Sequence, residues 1–272
     1  MKNNYVIGDP VGHSGSPVLH NEAYKQLGIE NEFIFSPRKV AKENLASFMH
    51  QIMHEEDFNG LAVTMPHKSA IIEYLDDVDE HAGKIGAINT VVKRSGKLIG
   101  FNTDWLGAQS ALIELTNLNG KKVSLLGTGS TARGVAYAMR SAGVQLTIFG
   151  RNNDKVINIS REFGAMPASI ESKTEIASAD IIINATSIGI SEESDTELLD
   201  THYIDSNHII FDVIYGRETN LVRAAKQSKA SVLTGLDMLL HQAIPQCELH
   251  TGMRPDIEKL RKFMNERSNE SR

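Results

Sequence analysis

The run Gly127-Thr128-Gly129-Ser130-Thr131-Ala132 has the spacing G-x-G-x-x-G/A. It directly follows the apolar run Lys122-Val123-Ser124-Leu125-Leu126 and opens a helical pattern from Ala132 to Ala142. A strand, a glycine turn and a helix in that order are the setting in which this spacing carries chemistry. The first glycine permits a tight turn, the second lets backbone approach a pyrophosphate, and a small sixth residue keeps helix close to strand. The helix N-terminus then offers N–H groups and a positive dipole end to phosphate. Gly127, Thr128, Gly129, Ser130, Thr131 and Ala132 are therefore candidate dinucleotide ligands. The next strand, Leu146-Thr147-Ile148-Phe149, ends in Gly150-Arg151-Asn152-Asn153-Asp154-Lys155. An NAD site usually carries an acidic residue there for the ribose 2′-hydroxyl. Arg151 instead offers a fork of donors to a 2′-phosphate, or a plane to lie across adenine, and Lys155 adds a point charge. Asp154 pulls the other way, since it can pair with either cation. The balance favours NADP.

A second group of polar residues lies in the first third of the chain. His13-Ser14-Gly15-Ser16-Pro17 places two hydroxyls in a turn before a helix, where they either cap it or bind a ligand. Val63-Thr64-Met65-Pro66-His67-Lys68 sets a hydroxyl and an amine just beyond a strand end. Gly86-Ala87-Ile88-Asn89-Thr90 and Asn102-Thr103-Asp104 add amides, hydroxyls and a carboxylate after small or apolar residues. Polar groups beside buried strands are costly without partners, which points to a polyhydroxylated ligand.

The elements that must hold these residues alternate between short β-like runs and helical patterns, the signature of parallel α/β architecture. Strands are expected at Tyr5–Gly8, Glu32–Phe35, Leu61–Thr64 and Asn89–Val92, with a hairpin at Ser95-Gly96 into Lys97–Gly100. Helices are expected from Pro17, over Glu43–Met53, after Pro66 and after Asp104. A second βαβ series starts at Lys121, with further strands at Asp180–Asn184, His208–Val213 and Ser231–Leu233. The last helices span about Asp237–Leu249 and Asp256–Asn265, and the polar Arg267–Arg272 tail is expected to fray. No Pro/Gly/Ser-rich linker separates the halves, so the boundary is expected in the helix after Asp104. Ligands of open α/β sheets bind at the carboxyl ends of strands, which makes a cleft between two such domains the expected site.

At 272 residues the chain can form one large domain or two modest ones. A 41% hydrophobic and 23% charged composition fits a globular protein and excludes a disordered or fibrous one. The net charge of −6 argues against a nucleic-acid surface. One cysteine, Cys247, excludes an intramolecular disulfide and a thiolate cluster, and reads as a packing residue. No run approaches the ~20 apolar residues of a membrane span, and the start lacks a signal-like apolar stretch. A cytoplasmic protein without membrane partners is expected. His50 and His54 share a helix face, but no H-E-x-x-H pattern or third ligand accompanies them, so no metal is expected.

Taken together, these segments resemble the shikimate dehydrogenase family along nearly the whole chain. The matching motifs are H-S-x-S-P, V-T-x-P-x-K, G-A-x-N-T, N-T-D, the glycine turn, Asn184–Gly189, Asp212–Tyr215, and Gly235-Leu236-Asp237-Met238-Leu239 with Gln242. The resemblance implies NADP-dependent interconversion of 3-dehydroshikimate and shikimate, on the route to chorismate and the aromatic amino acids. It implies an N-terminal α/β substrate-binding and catalytic domain over 1–104, completed by 240–272. A doubly wound, Rossmann-like NADP domain would occupy 105–239, with the C-terminal helix packing back on the first domain. Ser14 and Ser16 would hold the shikimate carboxylate with help from Tyr215, and Thr64, Asn89 and Gln242 would bond ring hydroxyls. Lys68 and Asp104 would be the catalytic pair. Thr186, Ile188 and Gly235 would lie by the nicotinamide, Gly127 to Ala132 by the pyrophosphate, and Arg151 with Lys155 by the 2′-phosphate. A monomer or a homodimer fits this picture.

The chain departs from the family pattern at Ala62, Ser130, Gly150 and Asn152, and at Trp105, which follows N-T-D and is expected to reshape the pocket. Two other readings fit the same residues. One is a quinate/shikimate dehydrogenase of broader specificity that uses NAD. The other is a paralogue that senses such ligands without turnover, against which retention of both Lys68 and Asp104 speaks.

Overall fold

The computed structural model of the protein describes residues 1–12 and 14–270, the last three by backbone alone. The chain divides into two compact units, one formed by Met1–Thr103 with the chain from Leu239 onwards, the other by Asp104–Met238. Asp104 thus opens the second unit rather than closing the first.

The first unit starts with strand β1 (Lys2–Gly8), helix α1 (Ser16–Leu27), β2 (Phe33–Lys39), α2 (Leu45–Met53) and β3 (Phe58–Val63). Then come β4 (Asp77–Val78), α3 (Glu80–Ile85), β5 (Thr90–Arg94) and β6 (Lys97–Phe101). The sheet order is β2-β1-β3-β5-β6-β4. It is mixed, where the sequence pattern predicts a parallel sheet: β1 pairs in parallel with β2 and β3, but β5 runs antiparallel to β3 and β6. The cause is the Ser95-Gly96 hairpin, whose two residues both have positive φ, 50° and 79°. That geometry matches the twist of the flanking strands and reverses the chain within two residues. The helix expected after Pro66 is reduced to a short 3₁₀ turn at Ala70–Tyr74. Tyr5, Ile7, Leu61, Val63 and Val91 pack on Met49 and Ile52 of α2 to form this unit's core.

The second unit contains α4 (Asp104–Ile113), β7 (Lys122–Leu126), α5 (Ser130–Ser141), β8 (Gln145–Gly150), α6 (Asn153–Phe163) and β9 (Met166–Ser169). It continues with α7 (Lys173–Ile176), β10 (Ile181–Asn184), β11 (Ile209–Asp212), α8 (Asn220–Gln227) and β12 (Ser231–Thr234). All six strands are parallel, in the order β12-β11-β10-β7-β8-β9. Alternate strand residues serve two cores. Leu125, Ile148, Ile183 and Phe211 pack with Ala108 of α4 and Val135 of α5, while Leu126, Phe149, Ile182 and Ile210 pack with Leu221 of α8. Burial on both faces explains the uninterrupted apolar runs that mark these strands in the sequence.

Helices α9 (Gly235–Thr251) and α10 (Ile257–Glu270) close the chain. From Leu239 onwards they belong to the first unit, where α9 bonds to β5 through Gln246 and His250, and α10 packs on α1. The helix continues to Glu270 through much of the tail expected to fray; 271 and 272 lie outside the described residues. Among the described residues, no helix is long and apolar enough to cross a membrane.

Candidate active site

In the first unit the sheet register brings the polar motifs to one edge. β1 and β3 are parallel neighbours, so the loops after Gly8 and Val63 leave at the same end. Thr90 pairs with Ala62 of β3 and with Phe101 of β6, so Asn89 enters and Asn102 leaves at that end too. Ser14, Ser16, Thr64, Lys68, Asn89 and Thr103 therefore lie along the carboxyl edge of the parallel strands, where α/β sheets bind ligands.

Each of these is held by identifiable bonds. Gly15 occupies the cap position of α1, and Ser14 Oγ accepts the Ser16 backbone N–H at 3.3 Å, while Ser16 itself is buried in the first turn. His13 lies outside the described residues. The loop carrying Thr64 and Lys68 is pinned at its middle by His67, a buried ring whose Nε2 lies 2.7 Å from the Val40 carbonyl oxygen. That makes His67 a structural residue. The Lys68 carbonyl oxygen accepts the Ile88 N–H at 2.7 Å, which fixes this loop against the Asn89 turn. Lys68 itself is half-buried. Asn89, Thr103 and Gln242 are buried and mutually bonded: Asn89 Nδ2 donates to Thr103 Oγ1 at 2.9 Å and to Gln242 Oε1 at 3.2 Å, and Thr103 Oγ1 donates to Gln242 Oε1 at 3.1 Å. Asp104, one peptide bond beyond Thr103, is a buried carboxylate on the first turn of α4.

Two residues that sequence reasoning passed over sit behind that trio. Gln246 bonds to Thr90 and to the Asn89 carbonyl, and His20 bonds to Gln246. Burial pushes the His20 ring down to about 3 and the neighbouring His250 ring down to about 4. The one available signal was Gln246 lying four residues after Gln242, on the same helix face.

The second sheet presents a different edge. β10 and β8 flank β7, so the strand order reverses at β7, and the glycine turn leaves β7 at that switch point. Gly127 has φ +121°, and a Cβ there would stand 2.5 Å from the Ala185 carbonyl oxygen. Gly129 caps α5 with no atom within 4 Å of where its Cβ would be, which leaves a backbone surface open to a bulky phosphate. Ser130 opens α5 as its first residue, with Thr131 and Ala132 next, and Ala132 is fully buried. Arg151 and Lys155 are both exposed beyond β8. Asn152 Oδ1 accepts the Lys155 backbone N–H at 3.0 Å and so caps α6. At Gly150 a Cβ would meet Val156 Cγ2 at 2.7 Å.

The loop after β10 rests on buried polar side chains, Asn184 and Asp212 from two of the matched motifs and Thr219 beside them. Asn184 Nδ2 donates to Asp212 Oδ1 at 3.0 Å, and Thr219 Oγ1 donates to Asp212 Oδ2 at 2.6 Å. Burial pushes the Asp212 carboxyl above its usual range. Thr186 Oγ1 donates to Asn184 Oδ1 at 2.7 Å and accepts the Ile188 N–H at 3.0 Å, which sets the path of the chain there. Arg217 donates to the carbonyl oxygens of Gly189 and Ser191 at 2.8 and 2.9 Å. Gly235 admits no side chain, since a Cβ would lie 2.0 Å from the Val213 carbonyl oxygen. Tyr215 is exposed on the loop after β11. The Trp105 ring packs edge-on against Tyr137 of α5, with centroids 5.5 Å apart, beside the core of the second unit. Among the described residues, no group of three or more His, Cys, Asp or Glu side chains is placed to hold a metal ion.

Comparison with known proteins bears on this arrangement. Residues 6–91 match the family of shikimate dehydrogenase substrate binding domains, 109–231 match shikimate / quinate 5-dehydrogenase, and 235–262 match the shikimate 5′-dehydrogenase C-terminal domain. A Bacillus cereus protein named shikimate dehydrogenase (NADP(+)) is 35% identical, over 98% of this chain and 99% of its own. The crystal structure of shikimate dehydrogenase from Aquifex aeolicus superposes with a TM-score of 0.91 at 32% identity, covering 96% of this chain and 97% of that one. That of shikimate 5-dehydrogenase from Thermus thermophilus, in complex with NADP(H) and shikimate, gives 0.87 at 31% identity, covering 96% and 98%.

Proposed function

This chain belongs to the shikimate dehydrogenase family, and we propose from that membership how its own residues reduce 3-dehydroshikimate to shikimate, reversibly, with NADPH. The observation that carries the assignment of roles is the buried Asn89–Thr103–Gln242 trio at the carboxyl edge of the first sheet. Amides and hydroxyls held there suit a ligand rich in hydroxyl groups, because such a ligand supplies partners that the strands cannot.

In this reading Ser14 and Ser16 donate to the substrate carboxylate, with Tyr215 as a further donor, and Thr64, Asn89 and Gln242 bond ring hydroxyls. Bound NADPH supplies the hydride that reduces the ketone carbon. Lys68 Nζ gives its proton to the ketone oxygen and takes it back in the oxidative direction, and its charge stabilises the developing alkoxide. Asp104 is the second member of the catalytic pair that the family resemblance implies.

The second unit fits the cofactor by its chemistry. The open backbone at Gly129 and the N-terminus of α5 suit a pyrophosphate, and Gly127, Thr128, Ser130, Thr131 and Ala132 shape that turn. Arg151 and Lys155 would take the 2′-phosphate, which distinguishes NADP from NAD. Thr186, Ile188 and Gly235 would border the nicotinamide.

Absorbance of reduced nicotinamide, followed with shikimate or quinate and with NADP or NAD in all four combinations, tests the proposal. Rapid reduction confined to shikimate with NADP is expected. Comparable rates with quinate or NAD would place the chain with relatives of broader specificity. Silence in all four from folded protein that binds nucleotide would overturn catalysis altogether.

A further inference from the structure

Six buried side chains of the first unit form a hydrogen-bond chain with a single direction. It starts at His20 on α1, whose Nε2 lies 2.9 Å from Gln246 Oε1 on α9. Gln246 Nε2 donates to Thr90 Oγ1 at 2.7 Å and to the Asn89 carbonyl oxygen at 3.1 Å. An amide whose nitrogen is engaged in this way turns its oxygen to the ring, so His20 carries its proton on Nε2. Thr90 Oγ1, already accepting from Gln246, gives its own proton to Asn89 Oδ1 at 2.8 Å. The Thr103 backbone N–H reaches the same oxygen at 2.7 Å. Asn89 Nδ2 then donates to Thr103 Oγ1, and Thr103 Oγ1 donates to Gln242 Oε1.

The far end of the chain is where the direction acquires a chemical meaning. Gln242 Oε1 receives donors from both Thr103 and Asn89. Its Nε2 donates one proton to the Leu239 carbonyl oxygen at 3.1 Å and keeps a second. The group that Gln242 brings to a ligand is therefore a donor.

We propose that His20 and Gln246 are positioning residues, which together with the Thr103 backbone N–H and the Leu239 carbonyl hold the polarity of this chain so that Gln242 offers an N–H donor, and not an acceptor, to a ring hydroxyl of the substrate. The inference rests on Asn89 and Gln242 being substrate residues, as read above. His20 suits the starting position because it acts only as a donor there. Its ring stacks on Phe35 at 4.3 Å, and Nδ1 is buried without a partner. A second ring proton would have no acceptor, so the ring stays neutral with Nε2–H fixed. Gln246 and His20 are both fully or nearly fully buried. Apolar side chains would fill that space without desolvating polar groups, so packing alone does not account for the pair.

The test uses Gln246→Glu, which keeps the shape and the oxygen facing His20 but replaces the donor with an acceptor. Gln246→Leu and Gln242→Ala accompany it in steady-state kinetics of the whole enzyme. Gln246→Glu is expected to raise the shikimate KM about tenfold, the loss of one buried neutral hydrogen bond, with the NADP KM unchanged and kcat changed far less. Gln246→Leu should do the same to a smaller degree. A folded Gln246 variant with an unchanged shikimate KM, or with both KM values raised alike, would overturn the proposal. If Gln242→Ala also leaves the shikimate KM alone, the substrate-site reading is what fails. Nitrogen-15 shifts of His20 in the unaltered protein decide the matter if the variants do not fold. Protonation of Nε2 is expected, and an Nδ1–H ring would sink the inference.

Discussion

The two sheets prepare their carboxyl edges with different materials. The first uses side chains, with Asn89, Thr103 and Gln242 held by further side chains behind them. The second uses backbone, with Gly127, Gly129 and Gly235 stripped of Cβ atoms and polar side chains kept underneath, at Asn184, Asp212 and Thr219. The difference follows from what each edge has to recognise. A pyrophosphate is met by N–H groups at a helix end, which any sequence supplies if it stays out of the way. A ring carrying several hydroxyls must be read oxygen by oxygen, and only oriented amides and hydroxyls distinguish them.

The comparison breaks most visibly at Lys68. Lys68→Ala should lower kcat by about a thousandfold, the scale of a lost proton donor, while NADPH binding, measured by fluorescence titration, persists. A parallel loss of nucleotide affinity would mean that Lys68 belongs to the cofactor edge. The complementary change is Gly127→Ala. Positive φ and a carbonyl 2.5 Å from the new methyl should cost about 3 kcal/mol in a denaturant titration, with NADP affinity falling as well. Wild-type stability in that variant would show that the β7 turn has room to adjust.

These two edges were not equally legible. The glycine turn could be read because its determinants are local, six residues between a strand and a helix. The substrate motifs were legible as polar residues in improbable places, at the ends of apolar runs. What joins them was not, because Gln246 and Asn89 are 157 residues apart and only the fold brings α9 to β5. The same holds for Asp212, a carboxylate ending an apolar strand, whose partner Asn184 ends another. The hairpin at Ser95-Gly96 was visible, but not its effect on the sheet, since reversing one strand turns a parallel pattern into a mixed one without altering either strand's composition. The roles of Asn152 and Trp105 were hidden for a related reason: a departure from a motif gives no hint that the new side chain caps a helix or packs on Tyr137.

Acid should separate the two units by sign. His20 and His250 titrate at about 3 and about 4 in the folded chain but near 6.5 when unfolded. Below pH 6.5 the unfolded chain binds protons that the folded one refuses, so stability falls until the folded values are passed. At pH 5 the loss should reach about 2 kcal/mol per histidine. Asp212 acts oppositely: its folded carboxyl, raised by burial, holds a proton at a pH where the unfolded one has lost it, so acid relieves the cost of burying this carboxylate. Hydrogen exchange read by mass spectrometry at pH 7 and pH 5 reports each unit by itself. Protection should fall in β5 and α9 and hold in β10 and β11; uniform loss would remove the distinction.

The smallest expected effect tests whether the second edge is wholly a matter of backbone. Arg151 is exposed, and its neighbour Asn152 is committed to capping α6, so the cations beyond β8 are Arg151 and Lys155. A charge-assisted bond at an exposed position sits at the low end of its range, about 1.5 kcal/mol, so Arg151→Ala should raise the NADP KM about tenfold and leave the NAD KM unchanged. Higher ionic strength should shrink the gap between wild type and variant, because an exposed charge is screened. If the NADP to NAD ratio does not move, Lys155 carries the phosphate from the first turn of α6, and the double variant should then recover the full tenfold loss. If neither cation matters, selectivity for NADP arises from the backbone at the end of β8, and the second edge would use no charged side chain at all.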